Sequence, residues 1–407
     1  MSGPRPPQAH PPVTPLPALT ALRFVAAALV LAFHYAGAFF ADAAVPAPIR
    51  LGYSGVTFFF LLSGFILAYT YRAVDLRDRA ARVRFRWARV ARVMPVYLLA
   101  LVLALPWFVS WVAKSAPPLQ GLMAASAVLA PLGLHAWVPG AACALDCPSW
   151  SVSVELFFYA LFPALLPLVL GAPGRIARLT LGAWIVLTGG AGLAFAHYAP
   201  GVSLIGPEAG GPGPVLLAQA IKYNPLLRLP EFVAGLLLYV AWTRRRIPTA
   251  ALLGSAAVAA FGLVAAAPIL PEALLHNGLT ALAWAPLILA GAQIRSGPLV
   301  APAFVFLGRI SFALYLIHVP AYALVNSLDR IALGGRLAAA PWLGAGLATA
   351  LSFALSLALH LGLEEPARRR ILRWAARRGE PHPVSERSAT IRQDETLPAS
   401  GRSAASG

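Results

Sequence analysis

The sequence predicts an all-α, polytopic membrane protein with about ten transmembrane helices and both termini in the cytoplasm. Of its 407 residues, 59% are hydrophobic and 12% are charged, whereas soluble proteins have about 25% charged residues. The apolar residues form long stretches that can each cross a bilayer as one helix of about 20 residues. The arginines lie in short patches between these stretches, as in positive-inside loops. The net charge of +17 therefore indicates membrane topology and no nucleic-acid partner.

The predicted elements follow one another along the chain with short connections. Residues 1–17 are rich in proline and polar residues, which is typical of a disordered leader. The predicted spans are 18–40, 52–71, 93–113, 148–170, 178–198, 226–242, 249–269, 274–293, 303–327 and 340–363. A Gly/Pro-rich loop is expected at 199–225. We expect residues 18–366 to form the membrane domain, and residues 367–407 a basic and then polar, disordered cytoplasmic tail.

The moderately apolar segment 119–138 is the one whose crossing is doubtful. If it does not cross, the basic residues at 72–92, Arg244–Arg246 and 368–378 all fall on one side of the membrane. That distribution follows the positive-inside rule. If it crosses, the last two of these patches change side. The charges therefore predict an outer interfacial or re-entrant segment, whose irregular backbone is buried in protein or lines a cavity.

Two polar residues interrupt the first span, Arg23 and His34. They are eleven residues apart, which leaves them within about 20° of one another around the helix and about 16 Å apart along its axis. Polar residues in a membrane are costly and are a hypothesis of function by default. Neutral imidazole can accept a proton at physiological pH, so His34 is a candidate general base. A histidine that only packs between helices remains the alternative.

Other spans also contain polar residues with functional and structural interpretations. Glu155 has no basic residue three or four positions away, so it needs a partner on another helix. His318 is a second candidate catalytic residue, although helix packing beside Pro320 explains it equally well. Ser63 is more typical of a packing serine that bonds the backbone. Arg228 and Glu231 have the spacing of an ion pair, and we prefer the structural interpretation of that pair.

The most basic stretch of the chain precedes the third span, at residues 72–92. Arginine forks suit phosphate groups, and Arg86 and Arg89 lie directly before the membrane. Phosphate binding by these two competes with a role in topology and in binding anionic lipid headgroups. Cys143 and Cys147 permit a small outer disulfide, which the sequence leaves open. No cluster has metal-ligand spacing and no Walker motif is present.

Several motifs, in order and spacing, resemble the acyltransferase-3 family of integral-membrane O-acyltransferases over about residues 18–366. They are Arg23-x10-His34, FFFLLSGF (58–65), the arginines before Met94-Pro95, PSWSVSVELFFYALFP (148–163), RLPEFVAG (228–235) and LGRISFALYLIHVP (307–320). The resemblance implies a ten-span core that takes an acyl group, usually acetyl, from cytoplasmic acyl-CoA. It passes this group to a hydroxyl, often on a sugar at the outer face.

By the same resemblance, Arg23 and His34 match the family's essential pair, and Arg86 and Arg89 match its arginine pair near the donor site. Ser63, Glu155 and His318 match further motif positions, of which we assign Ser63 to the donor site. Some members have a second, SGNH hydrolase-like domain after the core, whereas only about forty polar residues follow the last span here. Acceptor binding should then use the membrane core and its outer loops.

These observations predict a multi-pass enzyme of the plasma membrane that uses acyl-CoA as a donor substrate and has no permanently bound cofactor. The expected acceptor is a sugar or glycoconjugate, with a secreted natural product such as a macrolide as the alternative. A transporter or flippase is the rival from another class, because it would also bury arginine, histidine and glutamate. Paired broken helices and inverted repeats would favour that rival.

Overall fold

The computed structural model describes residues 14–41, 44–206 and 210–377. Most of the predicted leader and the tail beyond residue 377 lie outside this part of the chain. All regular structure within it is helical, as the sequence predicts. The principal helices are α1 (Pro17–Phe39), α2 (Gly55–Tyr71), α3 (Arg79–Lys114), α4 (Pro117–Leu129), α5 (Trp150–Gly171), α6 (Pro173–Trp184), α7 (Gly190–Tyr198), α8 (Pro212–Lys222), α9 (Pro225–Arg244), α10 (Thr249–Ala266), α11 (Ala281–Gly291), α12 (Pro302–Leu328), α13 (Pro341–Leu359) and α14 (Glu365–Arg377).

Ten helical stretches within the described residues are long and apolar enough to cross a membrane, which confirms the predicted number. They coincide with the predicted spans, and α6 and α7 form one of them through a wide turn at residues 185–189. The orientation of the termini remains a prediction from the distribution of arginines.

Three helices extend beyond the predicted boundaries. α3 begins at Arg79, where Asp78 caps it by accepting a hydrogen bond of 2.8 Å from the Ala81 N–H, so part of the basic stretch is helical. Residues of the predicted 199–225 loop form α8. α14 continues to Arg377 into the predicted disordered tail. Arginine and alanine favour helix, and in α3 and α14 that propensity outweighs the polar composition; in α8 the apolar run after Pro214 is helical despite the Gly/Pro-rich residues around it.

The doubtful segment is not among the ten candidate spans. Its helix α4 has 13 residues, fewer than a bilayer crossing needs. Buried residues after α4 are bonded to long helices: the Tyr97 hydroxyl from the middle of α3 donates to the Ala130 carbonyl oxygen. The Ser153 hydroxyl donates to the Gly133 oxygen over 2.6 Å. The segment is therefore attached to α3 and α5 without forming a span of its own, and its interfacial or re-entrant placement remains a prediction.

Glycines bring the helices around the site into close contact. A Cβ atom on Gly308 of α12 would lie 1.8 Å from the Thr20 carbonyl oxygen of α1. Gly64 of α2 and Gly235 of α9 face each other in the same way, since added Cβ atoms would lie 2.2 Å from the Phe232 oxygen and 2.1 Å from the Leu61 oxygen. Small residues permit such backbone contact in membrane helices. The glycines of the FFFLLSGF and RLPEFVAG motifs thus have a packing role.

Arg228 and Glu231 form the predicted ion pair, with 2.9 Å between Arg228 Nε and Glu231 Oε2. Both side chains are buried. Arg228 also donates to Asn277 Oδ1 over 2.8 Å, and Glu231 accepts from the Thr57 hydroxyl over 2.8 Å. Asn277 belongs to the irregular turn at residues 275–279 that breaks the helix before α11. The pair is therefore fully used in holding a broken helix against α2 and α9.

Candidate active site

In the topology predicted from the arginines, the outer half of the candidate site is a pair of histidines from two helices. His34 of α1 and His318 of α12 lie with 3.1 Å between His34 Nδ1 and His318 Nε2, and their ring centres are 4.9 Å apart. His318 is fully buried, whereas His34 is partly exposed. The close approach of α1 and α12 at Gly308 places both rings on facing sides of these helices. Two residues that the sequence only suggested separately therefore belong to one cluster.

The neighbouring carbonyl groups fix which nitrogen of each ring has the proton. His318 Nδ1 lies 2.7 Å from the Tyr315 carbonyl oxygen, so Nδ1 is the donor and Nε2 is an acceptor. His34 Nδ1 faces this acceptor and also the Val30 carbonyl oxygen at 3.0 Å, so it too is a donor. His34 Nε2 is then unprotonated, and no described residue donates to it. A lone pair in this position is what a general base requires.

Tyr35 fixes the backbone of His318. Its hydroxyl donates to the His318 carbonyl oxygen over 2.7 Å and lies 2.7 Å from Ser352 Oγ of α13. Tyr35 is 4% exposed, so these bonds form in a region from which water is largely excluded. α1 thus supplies both the candidate base and the group that orients the second histidine.

The inner half of the candidate site surrounds Arg23. This side chain is partly exposed and lies within electrostatic range of Arg92, Glu364, Glu155 and Tyr159. No described residue forms a hydrogen bond or an ion pair with its guanidinium. A guanidinium whose N–H groups have no protein acceptor inside an apolar bundle is suited to an anionic ligand.

The structure places the arginines of α3 in different surroundings. Arg89 lies over the rings of Phe85 and Tyr159, at 5.9 and 5.8 Å from their centres. Arg92, one turn further on, lies 3.4 Å from Glu364 through its Nη1 atom. Arg86 is exposed. Arg89 and Arg92 are therefore the arginines of α3 that lie near Arg23 and the groups around it, which together form the Arg23 cluster. The pair predicted from the sequence was Arg86 and Arg89, so the two pairs have only Arg89 in common.

Glu155 and Ser63 also join the inner half of the site. The Ser63 hydroxyl donates to Glu155 Oε1 over 3.0 Å, and the Tyr159 hydroxyl donates to the same oxygen. Ser63 thus bonds a side chain of α5 rather than the backbone of its own helix. Glu155 therefore has a hydrogen-bond partner on another helix, as the sequence predicts. It lies near Arg23 rather than near His34.

Several residues of the site were not assigned from the sequence. They are Tyr35, Arg92, His360 and Glu364, with His360 Nδ1 lying 2.8 Å from Glu364 Oε2. Three of them had a signal in the sequence: Tyr35 follows His34, Arg92 is the last arginine before Met94-Pro95, and His360 is a polar residue in an apolar span. Cys143 and Cys147, left open by the sequence, are joined in a disulfide. No group of metal ligands occurs among the described residues.

Comparisons with known proteins agree with this geometry. The profile of an acyltransferase domain family, acyltransferase-3, matches residues 16–361, which is nearly the whole described region. The chain belongs to the acyltransferase-3 family. A curated relative, acyltransferase MdmB of Streptomyces mycarofaciens, is 31% identical over 411 residues, which cover 94% of this chain and 99% of the relative. No solved structure matches this acyltransferase-3 chain significantly.

Membership of the acyltransferase-3 family identifies the chain as an O-acyltransferase. The matched region contains both histidines, Arg23 and the residues around Arg23 other than Glu364, since it ends three residues before that glutamate. Within this acyltransferase-3 domain, the candidate base His34 and Arg23 lie on one side of α1. The two halves of the site are separated by about three helical turns.

Proposed function

We propose that this enzyme transfers an acyl group, acetyl in the simplest case, from cytoplasmic acyl-CoA to a hydroxyl of a sugar or glycoconjugate. The observation that carries the proposal is the hydrogen bond between His34 and His318, which leaves His34 Nε2 free to accept a proton. General-base catalysis needs such a nitrogen within reach of the acceptor hydroxyl. Arg23, on the same side of α1, supplies a cation for the donor.

The inner arginines suit the anionic part of acyl-CoA. Its phosphates cannot enter lipid, and the guanidinium groups of Arg23, Arg89 and Arg92 can bind them through paired hydrogen bonds. The pantetheine arm is thin and uncharged, so it can extend along α1 from Arg23 towards His34, over about 16 Å. Acyl-CoA is in this scheme a donor substrate, and the protein needs no permanently bound cofactor.

The transfer proceeds by attack of the acceptor oxygen on the thioester carbon. His34 Nε2 takes the proton of the acceptor hydroxyl as the new C–O bond forms. The resulting imidazolium is stabilised through its Nδ1–H by His318 Nε2, as a buried partner stabilises the histidine of a hydrolase triad. The C–S bond then breaks, and His34 returns the proton to the thiolate of CoA. The products are the acyl ester and free CoA.

We place the enzyme in the plasma membrane with the arginine cluster facing the cytoplasm, where acyl-CoA is made. The distribution of arginines supports this orientation. The acceptor hydroxyl must reach His34, which lies nearer the opposite end of α1. A sugar or glycoconjugate fits this arrangement. A hydroxylated natural product such as a macrolide is the alternative acceptor, and one assay can test both classes.

The test is acyl transfer by the purified protein in nanodiscs, supplied with acetyl-CoA or longer acyl-CoAs and with a panel of sugars, glycoconjugates and macrolides. We expect CoA thiol to be released and one acceptor to gain an acyl group, detected by mass spectrometry. Nanodiscs without protein are the control. Failure with every donor and acceptor, by protein with a cooperative melting transition, would contradict the proposal. Movement of an unmodified acceptor across proteoliposomes would indicate the transporter instead.

A further inference from the structure

The chain between α4 and α5 (residues 130–149), which continues the segment predicted to be interfacial or re-entrant, contains polar groups that the catalytic scheme does not use. It is held inside the bundle at both ends, by Tyr97 of α3 at Ala130 and by Tyr315 of α12, whose hydroxyl donates to the Pro148 carbonyl oxygen over 3.0 Å. The disulfide between Cys143 and Cys147 closes a short loop within it. Polar groups in such a segment are removed from water and need partners.

Asp146, inside this disulfide loop, lacks such a partner. Its side chain is 2% exposed, and neither carboxyl oxygen accepts a hydrogen bond from any described residue. Asp329 shows what a structural aspartate of equal burial does in this protein. Its two oxygens accept hydrogen bonds from the Leu337 and Ala338 N–H groups over 2.9 and 3.0 Å. A buried polar group without a partner is exceptional and points to a ligand or an ordered water.

His135 is close to Asp146 through a shared serine. The Ser149 hydroxyl donates to the Asp146 carbonyl oxygen over 2.5 Å, so it accepts from His135 Nε2, 3.1 Å away. The proton of His135 is therefore on Nε2, and Nδ1 is a bare acceptor. That atom is buried and has no partner among the described residues. Burial lowers the pKa of His135 to about 4, which keeps the ring neutral.

Asp146 and His135, linked by Ser149 through the Asp146 backbone carbonyl and the His135 ring, thus have three acceptor atoms without a described partner. A ligand that satisfies them must be rich in hydrogen-bond donors. Burial raises the pKa of the Asp146 carboxyl well above its ordinary value, so the group can also donate in its neutral form. A ring hydroxyl, which both donates and accepts, pairs with a neutral carboxyl. A protonated amine pairs with the ionised form.

The position of Asp146 links it to the histidine pair. It lies within electrostatic range of the hydroxyls of Tyr97 and Tyr315, which places it between α3 and α12. The Tyr315 ring is 6.1 Å from the His318 ring, centre to centre, and the Tyr315 carbonyl oxygen accepts from His318. Tyr315 is thus a neighbour of both Asp146 and His318, and Asp146 lies near the part of α12 that contains the second histidine.

We propose that Asp146 and His135 form a subsite that binds a donor-rich group of the acyl acceptor, either a sugar hydroxyl or a protonated amine next to the acylated hydroxyl. This subsite rests on the proposed function, since it orients the acceptor for the same transfer. It gives the chain between α4 and α5 a role in acceptor selection, separate from the arginines that bind the donor.

The test compares Asp146→Asn with the matched control Asp329→Asn, for acyl transfer to the methyl glycosides of glucose and of glucosamine. We expect Asp146→Asn to raise the acceptor KM about tenfold and to leave the KM for acetyl-CoA unchanged. A rise with both glycosides indicates binding of a hydroxyl, and a rise confined to the glucosamine derivative indicates binding of an amine. An unchanged acceptor KM with a lowered melting temperature would overturn the subsite and leave a structural water at Asp146.

A second measurement does not depend on turnover. In the His34→Ala variant, dicyclohexylcarbodiimide labels accessible protonated carboxyl groups, and mass spectrometry locates the label. We expect Asp146 to be labelled, to be protected by one of the two glycosides, and Asp329 to stay unlabelled. Absence of labelling, or labelling without protection by either glycoside, would overturn the subsite. If a glycoside protects Asp146 from labelling but the wild-type protein transfers no acyl group, the proposed function is wrong and the binding site at Asp146 is still supported.

Discussion

His34 and His318, from helices more than 280 residues apart in the chain, are joined by a hydrogen bond of 3.1 Å between their imidazole rings. The Tyr315 carbonyl oxygen orients the His318 ring, which in turn accepts from His34. The direction of both bonds leaves His34 Nε2 as the free acceptor. In the proposed reaction, proton transfer at His34 and the orientation of its ring by His318 therefore depend on each other.

This dependence predicts that the effects of the two histidines are not additive. His318→Ala should slow acyl transfer by about 10- to 100-fold, because the His34 ring loses its orientation and the imidazolium its partner. The double variant with His34→Ala should be no slower than His34→Ala alone, as in other catalytic groups that act together. Rates of CoA release with saturating substrates measure this. Multiplication of the two single effects would show that the histidines act independently.

Tyr35→Phe should lower kcat without changing the KM for acetyl-CoA. The substitution removes the hydrogen bonds from Tyr35 to His318 and Ser352, and with them the fixed position of the second ring. We expect a loss of about 5- to 10-fold, which corresponds to a hydrogen bond of about 1 kcal/mol.

The matched control for Tyr35 is Tyr322→Phe. The Tyr322 ring lies 6.1 Å from that of Tyr35, and its hydroxyl accepts from Asn326 over 3.4 Å. We expect this variant to keep the wild-type kcat. Equal losses in both variants would show that the effect of Tyr35→Phe is one of general packing.

The arginines of α3 should differ in their effect on the donor. Arg89→Lys and Arg92→Lys each replace a guanidinium fork by a point charge, and we expect the KM for acetyl-CoA to rise about tenfold. Arg86→Lys, on the exposed side of the same helix, should leave it within about twofold. Steady-state kinetics with varied acetyl-CoA decides between the pairs. A large effect of Arg86→Lys with none at Arg92 would favour the pair predicted from the sequence.

The stability of the protein should depend on pH through His135. Its pKa of about 4 in the folded protein lies below its ordinary value, so only the unfolded chain takes up a proton between about pH 6.5 and 4. Neutral His135 therefore makes its full contribution to the free energy of unfolding above this pH range, and that contribution is lost as the pH falls through the range. Relative to His135→Gln, the wild type should lose about 3 kcal/mol of unfolding free energy between pH 7 and 4.

Melting temperatures of wild type and His135→Gln in nanodiscs, measured from pH 4 to 7, test this dependence. The other buried histidines are common to both proteins, so their contributions cancel in the difference. Parallel curves over the whole range would contradict the assignment of a neutral, buried His135.

Much of the fold follows from the sequence because a bilayer imposes a simple pattern. Spans of apolar residues and patches of arginine predict ten crossings, and the positive-inside rule separates the segment 119–138 from the true spans. Boundaries are less predictable where a helix leaves the apolar region. The arginine-rich starts and ends of α3 and α14 are polar in composition, although their residues favour helix.

The site is only partly predictable, because its residues meet through contacts between distant segments. The spacing of Arg23 and His34 reveals a shared face, since both lie on one helix. No spacing reveals that His318 contacts His34, or that Arg92 rather than Arg86 faces Glu364. Asp146 and His135 lie in irregular backbone, where helical periodicity gives no direction for a side chain.

The most direct measurement is transfer of labelled acetyl from acetyl-CoA to the acceptor, by wild type and by His34→Ala in the same nanodiscs. Melting curves establish that both proteins are folded. With His34 as the general base, we expect the wild type to label the acceptor and the variant to be slower by about 10²- to 10⁴-fold. Equal transfer by the two proteins would contradict the role of His34, and absence of transfer by the wild type would contradict the proposed reaction.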